Sequence, residues 1–192
     1  MNVLDKKIIL ASKSPRRSQL LREAGFQFEI KTKETPEDFP DELPVEEVAA
    51  YLARKKALAA KSFLENGKVL LAADTIVTLD QEIFGKPTDA ADARRILRAL
   101  SGKEHLVITG VCLLSTQQEK TFSGVSKVFM DELTAEEIDY YIEQFQPYDK
   151  AGAYAIQEWI GLNKISKIEG SYVNIMGLPV QMIYQALQSF KE

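Results

Sequence analysis

The segment Val69–Leu79, V-L-L-A-A-D-T-I-V-T-L, constrains the fold of this chain more than any other. Apolar residues occupy both alternating faces, which is the pattern of a central strand covered on both sides. Asp74 interrupts this pattern, and an isolated ionised carboxylate in such a place is very costly unless it is paired or binds a metal. Two explanations stay open. Asp74 caps a turn at a strand end, or it points into a crevice of the kind where open α/β sheets bind ligands.

Short apolar runs alternate with helical patterns along the whole chain, which is typical of an α/β fold. The predicted strands are Ile8–Ala11, Phe28–Lys31, Val69–Leu79, Glu82–Phe84, His105–Ser115, Thr121–Met130, a short one near Tyr154, and Ile165–Ile168. Helices are predicted from Ser14 and Pro15 to Gly25, from Pro44, from a Thr88 cap to Gly102, after a capping box of Thr134 and Glu137, and from Pro179 to Phe190.

These elements predict a mixed sheet flanked by helices, because a hairpin around Thr116–Glu119 adds an antiparallel pair. The chain has 192 residues, which is the length of roughly one domain. We therefore expect residues 1–192 to form a single domain, with a smaller lobe around residues 105–150 as an option.

Charge and composition narrow the classes of function. The chain carries 24 Lys and Arg against 28 Asp and Glu, a net charge of −4, which argues against a nucleic-acid partner. One cysteine, Cys112, excludes an internal disulfide, and one histidine, His105, excludes a multi-histidine metal site. We expect Cys112 to be a core thiol and His105 to cap a sheet edge. No stretch approaches the about 18 apolar residues of a membrane span, so we expect no membrane partner. Because the lone cysteine lies in an apolar run, we expect a cytoplasmic address.

Two basic features lie where a ligand with negative charge would be bound. Lys56 follows Leu52 by four residues on the apolar stripe of the long helix, so it either extends to solvent or meets a buried anion. The segment Ser12–Arg17, S-K-S-P-R-R, places two hydroxyls and two arginines at a helix N-terminus, where anions are favoured. A solvated helix start is the alternative for that segment.

Three further polar residues are weaker candidates. Lys86 stands in a G-K-P turn, Glu34 follows the basic stretch K-T-K, and Gln157 ends an apolar run with an amide that fits the edge of a nucleobase. On local evidence each of them is also compatible with an ordinary solvated role. The chain has neither a P-loop nor a G-x-G-x-x-G motif, so a P-loop NTPase or a common dinucleotide site is not supported.

Taken in order, the motifs form a series: L-A-S-K-S-P-R-R, E-T, L-A-R-K-K-A, A-A-D-T-I-V, G-K-P, L-S-G-K-E-H, D-K-A-G-A-Y-A-I-Q and I-E-G-S-Y-V-N-I-M-G-L-P. This series resembles the Maf family of nucleoside triphosphate pyrophosphatases over about residues 8–187. The resemblance implies a mixed α/β fold with a central cleft, related to the inosine triphosphate pyrophosphatases. It also implies hydrolysis of a nucleoside triphosphate to the monophosphate and pyrophosphate with a divalent cation, Mg²⁺ or Mn²⁺.

The resemblance also implies roles for individual residues. Asp74 matches the proton acceptor of the family, although the residues alone leave a metal ligand equally open. Glu34 matches an acidic residue that binds the metal or orients water. The residues implied to bind the triphosphate are Ser12, Ser14, Arg16, Arg17, Lys56 and Lys86.

Substrate preference follows from the same resemblance. Arg16, Thr75 and Gln157 match the positions that separate the subfamilies, and A-D-T with A-I-Q resembles the branch acting on dTTP and UTP. The alternatives are a pyrophosphatase for 7-methyl-GTP or another modified nucleotide, and a non-catalytic nucleotide-binding regulator of division. The resemblance also makes a homodimer an expectation. The chain departs from the family pattern at E-W-I-G after Gln157 and at T-K before Glu34.

Overall fold

A seven-stranded mixed sheet organises the fold in the computed structural model, which describes residues 3–191. The strands are β1 Lys7–Leu10, β2 Phe28–Ile30, β3 Lys68–Leu79, β4 Glu82–Phe84, β5 Glu104–Leu114, β6 Glu119–Met130 and β7 Ile165–Glu169. They lie in the order β2-β1-β3-β5-β6-β7, and β4 pairs with β3.

Seven α-helices accompany these strands in the described residues. They are α1 Pro15–Glu23, α2 Val45–Ala59, α3 Ala90–Leu100, α4 Ala135–Phe145, α5 Trp159–Lys164, α6 Tyr172–Ile175 and α7 Val180–Gln188. Short 3₁₀ turns occur at Val3–Asp5, Lys61–Phe63 and Ala151–Ala153. None of the helices within residues 3–191 combines the length and the apolar character that crossing a membrane requires.

Strand directions confirm the mixed α/β fold. Strand β1 pairs in parallel with β2 and with β3, in register Ile9↔Glu29 and Ile9↔Leu70. Strand β3 turns at Asp80 and Gln81, which both have positive φ, and pairs antiparallel with β4. Strands β6 and β7 are antiparallel as well. Parallel pairs require long crossovers and antiparallel pairs accept tight turns, so both connection types occur in one sheet.

Two compact units divide the described chain. Unit 1 takes the residues up to Asp74, Thr109–Gly124, and the residues from Gly177 onward. It holds β1, β2, α1, α2, α7 and parts of the three long strands. Its apolar cluster consists of small and aliphatic side chains, and Cys112 is buried in it as the predicted core thiol. The expectation of one domain with a lobe stays a prediction.

Unit 2 takes Thr75–Ile108 and Val125–Met176. It holds β4, α3, α4, α5, β7 and α6, packed around a cluster that includes Phe84, Leu97 and Tyr141. The capping box of Thr134 and Glu137 at α4 is confirmed, with each side chain bonded to the other residue's backbone N–H.

Several sequence predictions of local structure are wrong. Asp89, not Thr88, caps α3, because the Asp89 carboxylate accepts a hydrogen bond from the Asp92 N–H. The predicted strand near Tyr154 is absent from the described structure, where a 3₁₀ turn precedes that residue. Helices α5 and α6 were not predicted, since six and four residues are too short to show a helical period.

Candidate active site

Lys56 and Asp74 form a hydrogen-bonded ion pair within unit 1. Helix α2 buries Val48, Leu52 and Ala53 on the face from which Lys56 extends. The helix lies so close to β5 that a Cβ at Gly110 would overlap the backbone of Ala49 and Ala50. Glycine at position 110 therefore permits α2, which carries Lys56, to pack this closely against β5.

The same pair decides the two questions that the sequence leaves open about these residues. Asp74 lies within β3 and is 8% exposed, so the explanation of a cap at a strand end is wrong. Lys56 does not extend to bulk solvent, because its ammonium meets the buried anion. An ammonium partner offsets part of the desolvation cost of a buried carboxylate, and such pairs are frequent at functional sites.

A second carboxylate, Glu37, also contacts the Lys56 ammonium, with 2.7 Å between Nζ and Oε1. The neighbouring residues repeat the arrangement, since Lys55 Nζ lies 2.8 Å from Asp38 Oδ1. These two ion pairs attach the irregular segment 31–44 to α2. Sequence reasoning missed Glu37. The available signal was the acidic run T-P-E-D in a segment that directly precedes the helix bearing two adjacent lysines.

Hydrogen bonds hold Arg17 in a fixed orientation. Its Nε donates to Gly177 O at 2.8 Å, and its Nη1 donates to Ala73 O at 2.8 Å and to Ser12 Oγ at 3.2 Å. The contact with Ala73 places the guanidinium next to the residue that precedes Asp74. Burial lowers the pKa of the Arg17 guanidinium. The negative charge of Asp74 acts in the opposite direction, the positive charge of Arg16 lowers this pKa further, and Glu37 raises it.

Ser12 and Ser14 form the turn that leads into α1. The buried Ser12 hydroxyl accepts from the Ser14 N–H at 3.2 Å as well as from Arg17. Ser14 is the N-cap residue and Pro15 follows in the first turn, as predicted, but the Ser14 side chain makes no capping hydrogen bond. The structure thus brings Ser12, Ser14 and Arg17 together at one helix N-terminus, with Arg16 next to them in the chain.

Glu34 lies on the surface of unit 1. Its side chain is 90% exposed and its Oε1 lies 3.0 Å from Lys13 Nζ. The hydrogen bond from Lys13 lowers the pKa of Glu34. The described contacts of Glu34 include neither Asp74 nor Lys56, so its role as a metal ligand or water-orienting group stays a prediction.

Carboxylates near Lys56 could bind a divalent cation, but they do not form a complete metal site by themselves. Among residues 3–191, no group of three or more His, Cys, Asp and Glu side chains converges in a geometry that could hold a metal. Asp74 and Glu37 contact the same ammonium. Mg²⁺ is commonly bound by one or two carboxylates together with substrate phosphates. This donor set therefore fits a cation that arrives with a triphosphate.

The remaining predicted residues lie in unit 2. Lys86 is exposed in its turn, and the adjacent Gly85 carbonyl accepts from the Gly152 N–H at 3.1 Å. This bond joins the G-K-P turn to the segment that ends at Gln157. The Gln157 Oε1 is buried and has no hydrogen-bond donor among the described residues. Thr75 is half-buried in β3 directly after Asp74.

His105 is not an edge cap, contrary to expectation. It is 2% exposed, and its Nε2 lies 2.7 Å from the Tyr154 hydroxyl. Burial lowers the pKa of His105 to about 4. It is therefore a neutral histidine packed inside unit 2, and its partner Tyr154 belongs to the segment that ends at Gln157.

Comparison with known proteins agrees with the motif series. The model of the Maf-like protein family matches residues 7–190. The chain is 49% identical over 188 residues to a dTTP/UTP pyrophosphatase of Phocaeicola vulgatus, with 97% of each chain covered. It is 47% identical over 194 residues to a protein of the same name from Porphyromonas gingivalis, covering 100% of this chain and 98% of that one.

Among solved structures, the Staphylococcus aureus Ham1 protein matches with a TM-score of 0.48 at 14% identity, over 65% of this chain and 72% of that one. The family match, in contrast, covers all but a few residues at each end, and relatives about half identical to the chain are aligned along nearly its full length. This chain therefore belongs to the Maf family.

Proposed function

We propose that this chain is a nucleoside triphosphate pyrophosphatase that hydrolyses dTTP and UTP to the monophosphate and pyrophosphate. The observation that carries the proposal is the buried pair of Lys56 and Asp74, with the fixed Arg17 guanidinium beside it. Relatives aligned over nearly the whole chain and named dTTP/UTP pyrophosphatases support the choice of substrate.

The reaction begins with attack of water on the α-phosphorus. The bond from that phosphorus to the oxygen bridging to the β-phosphate breaks, and pyrophosphate departs with this oxygen. Asp74 orients the water and accepts its proton. Negative charge grows on the non-bridging oxygens and on the leaving group, and positioned cationic groups stabilise it most effectively.

Lys56 is the group best placed to serve both the acid and the phosphates. Its ammonium contacts Asp74, which is buried, and Glu37, whose side chain is about half exposed. A phosphate oxygen can replace the exposed Glu37 contact at lower cost than the buried Asp74 contact. Arg16, Arg17 and Lys86 are proposed to bind the other phosphate oxygens, and Ser12 and Ser14 to line the turn that receives them.

A divalent cation, Mg²⁺ or Mn²⁺, is proposed as the cofactor, with Asp74 as one ligand and Glu34 or Glu37 as the second. The bound cation would neutralise charge on the triphosphate. Glu34 is favoured by the motif that it shares with the family, and Glu37 by its contact with Lys56. Matched variants, Glu34→Gln and Glu37→Gln, distinguish the two by the Mg²⁺ concentration that gives half-maximal rate.

Gln157 is proposed to read the base, together with Thr75. The buried Oε1 lacks a donor among residues 3–191, and the N3–H of thymine or uracil is a donor. A hydrogen bond from the base would remove the cost of leaving this acceptor unpaired.

The test is product analysis with dTTP, UTP, CTP, the purine triphosphates and 7-methyl-GTP in the presence of Mg²⁺. We expect dTMP and UMP together with pyrophosphate. Release of dTDP and inorganic phosphate would contradict the proposal, and 7-methyl-GTP as the best substrate would overturn the choice of base. The variant Asp74→Asn should lose at least about 10²-fold in kcat. Binding of dTTP without turnover by the unmodified chain would instead indicate a nucleotide-binding regulator.

The homodimer, the cytoplasmic address and the absence of a nucleic-acid partner are proposed as well. The net charge of −4 and the single buried cysteine support the last two. Light scattering on the purified protein, cell fractionation and a salt-dependent DNA-binding assay test them separately.

A further inference from the structure

We propose that Tyr141 and Glu158 are positioning residues that hold the loop 151–157 and act on the substrate through Gln157. The proposal rests on the proposed function, which assigns Gln157 to recognition of the base. It adds two residues, Tyr141 and Glu158, to which the motif series assigns no role.

Glu158 is the centre of a polar network within unit 2. Its Oε2 accepts a hydrogen bond from the Tyr141 hydroxyl, and its Oε1 lies 3.4 Å from Lys150 Nζ. The Tyr141 hydroxyl in turn accepts from the Ala155 N–H at 3.1 Å. Glu158 directly follows Gln157, and its carboxylate therefore ties this end of the loop to Lys150, which precedes the loop.

The partners of this network are buried, so their contacts are not easily exchanged with water. Tyr141 is fully buried and Lys150 is 8% exposed. Burial, and then the hydrogen bond to Glu158, raise the pKa of Tyr141, so the phenol keeps the proton that it donates. Hydrogen bonds to charged groups in such surroundings are stronger than neutral ones and hold a fixed geometry.

The loop needs such anchors because its backbone is strained. Ala153 is a buried, non-glycine residue with φ of +59°, and Gly152 before it has φ of +72°. A residue in the left-handed region costs energy and persists only where its surroundings hold it. The Gly152 N–H bonds to Gly85 O at one end of the loop, and Tyr141 bonds to Ala155 toward the other.

The result of this anchoring is a preset position for the Gln157 amide. Gln157 lies between Ile156, which is buried, and Glu158, whose carboxylate is held by two partners. Its own Oε1 has no donor among residues 3–191. A single defined position of an unpaired acceptor favours binding of a base, since less conformational entropy is lost when the base binds.

The test is Tyr141→Phe, which removes one hydroxyl and keeps the buried ring. Tyr140→Phe is the matched control, because Tyr140 is the neighbouring exposed tyrosine and its ring packs on Trp159. We expect KM for dTTP to rise about tenfold in Tyr141→Phe, with kcat within about twofold of the unmodified enzyme. Tyr140→Phe should change neither parameter. Unfolding followed by the fluorescence of Trp159, the only tryptophan, verifies that each variant is folded.

A double-mutant cycle with Gln157→Ala separates positioning from general destabilisation. If Tyr141 acts through Gln157, removing its hydroxyl in the Gln157→Ala background should leave KM within about twofold. An equal rise of KM in both backgrounds, or a loss confined to kcat, would overturn the proposal. Glu158→Gln keeps an acceptor for Tyr141 and should raise KM less than Glu158→Ala does.

The two levels of the proposal fail in different ways. If the unmodified chain releases no pyrophosphate from any triphosphate, the proposed function fails and the positioning role falls with it. If the unmodified chain hydrolyses dTTP and Tyr141→Phe has the same KM, the proposed function stands and the positioning role alone is refuted.

Discussion

Protonation of His105 should destabilise unit 2 in mildly acidic solution. The side chain is 2% exposed, and burial lowers its pKa from 6.5 to about 4. The folded state thus disfavours the charged form, and the unfolded chain binds a proton first as the pH falls. Stability due to the neutral His105 is complete above the unfolded pKa and is lost as the pH falls through 6.5 toward the folded pKa.

The magnitude follows from the two pKa values. The shift from 6.5 to about 4 corresponds to about 3 kcal/mol when the folded form is fully protonated. Between about pH 7.5 and about pH 5 the linkage relation removes roughly 2 kcal/mol from the free energy of unfolding. For a chain of 192 residues this lowers Tm by about 5 °C.

The assay is urea unfolding at a series of pH values for the unmodified protein and for His105→Gln. Because the chain has one histidine, the difference between the two pH profiles isolates this residue, while the carboxylates contribute equally to both. The constant cost of the substitution cancels when slopes are compared. Equal pH profiles for the two proteins would mean that burial of His105 does not couple stability to pH. A separate unfolding transition of unit 2, where one is resolved, should carry the whole difference.

Three other outcomes are expected. Lys56→Met should lower the free energy of unfolding by about 3 kcal/mol in urea melts, because Asp74 loses its partner. The double variant Lys56→Met with Asp74→Asn should recover most of this loss. A Lys56→Met protein as stable as the unmodified protein would contradict the expectation. Gly110→Ala should cost about 3 kcal/mol or prevent folding, since the new Cβ would overlap α2. Gly85→Ala, where the Cβ meets nothing within 4 Å, should stay within about 0.5 kcal/mol in the same melts. Removal of divalent cations by EDTA should abolish pyrophosphate release and Mg²⁺ should restore it, whereas full activity in EDTA would remove the cation from the mechanism.

Much of the fold is readable from the sequence where a regular period runs long enough. Strand β3 was predicted to within one residue at its start, and α2 begins directly after Pro44, as expected. The segment before Gln157 is a short apolar run that predicts a strand, but no strand forms in these described residues because the backbone at Gly152 and Ala153 turns through positive φ. A local pattern of side chains does not report a local change in backbone direction.

The candidate site divides in the same way. Asp74 and Lys56 stand out in the sequence because each is an ionisable residue on an apolar face, and periodicity reveals such a conflict without knowledge of the fold. The motif series similarly identifies Arg17 and Gln157 by resemblance. The partners of these residues are not predictable in this way. Glu37 lies in a segment without any period, and its contact with Lys56 spans a separation of 19 residues.

The sequence therefore shows which side chains are out of place in an apolar pattern, and hence where charge must be compensated. The groups that compensate this charge are known only from the folded chain. Arg17 finds its acceptor at Gly177, a separation of 160 residues, and Tyr141 finds Glu158 across a strained loop. Spacing along a chain specifies the face on which a residue lies. The choice of partner depends on how close distant segments pack, and close packing is a property of the folded chain as a whole.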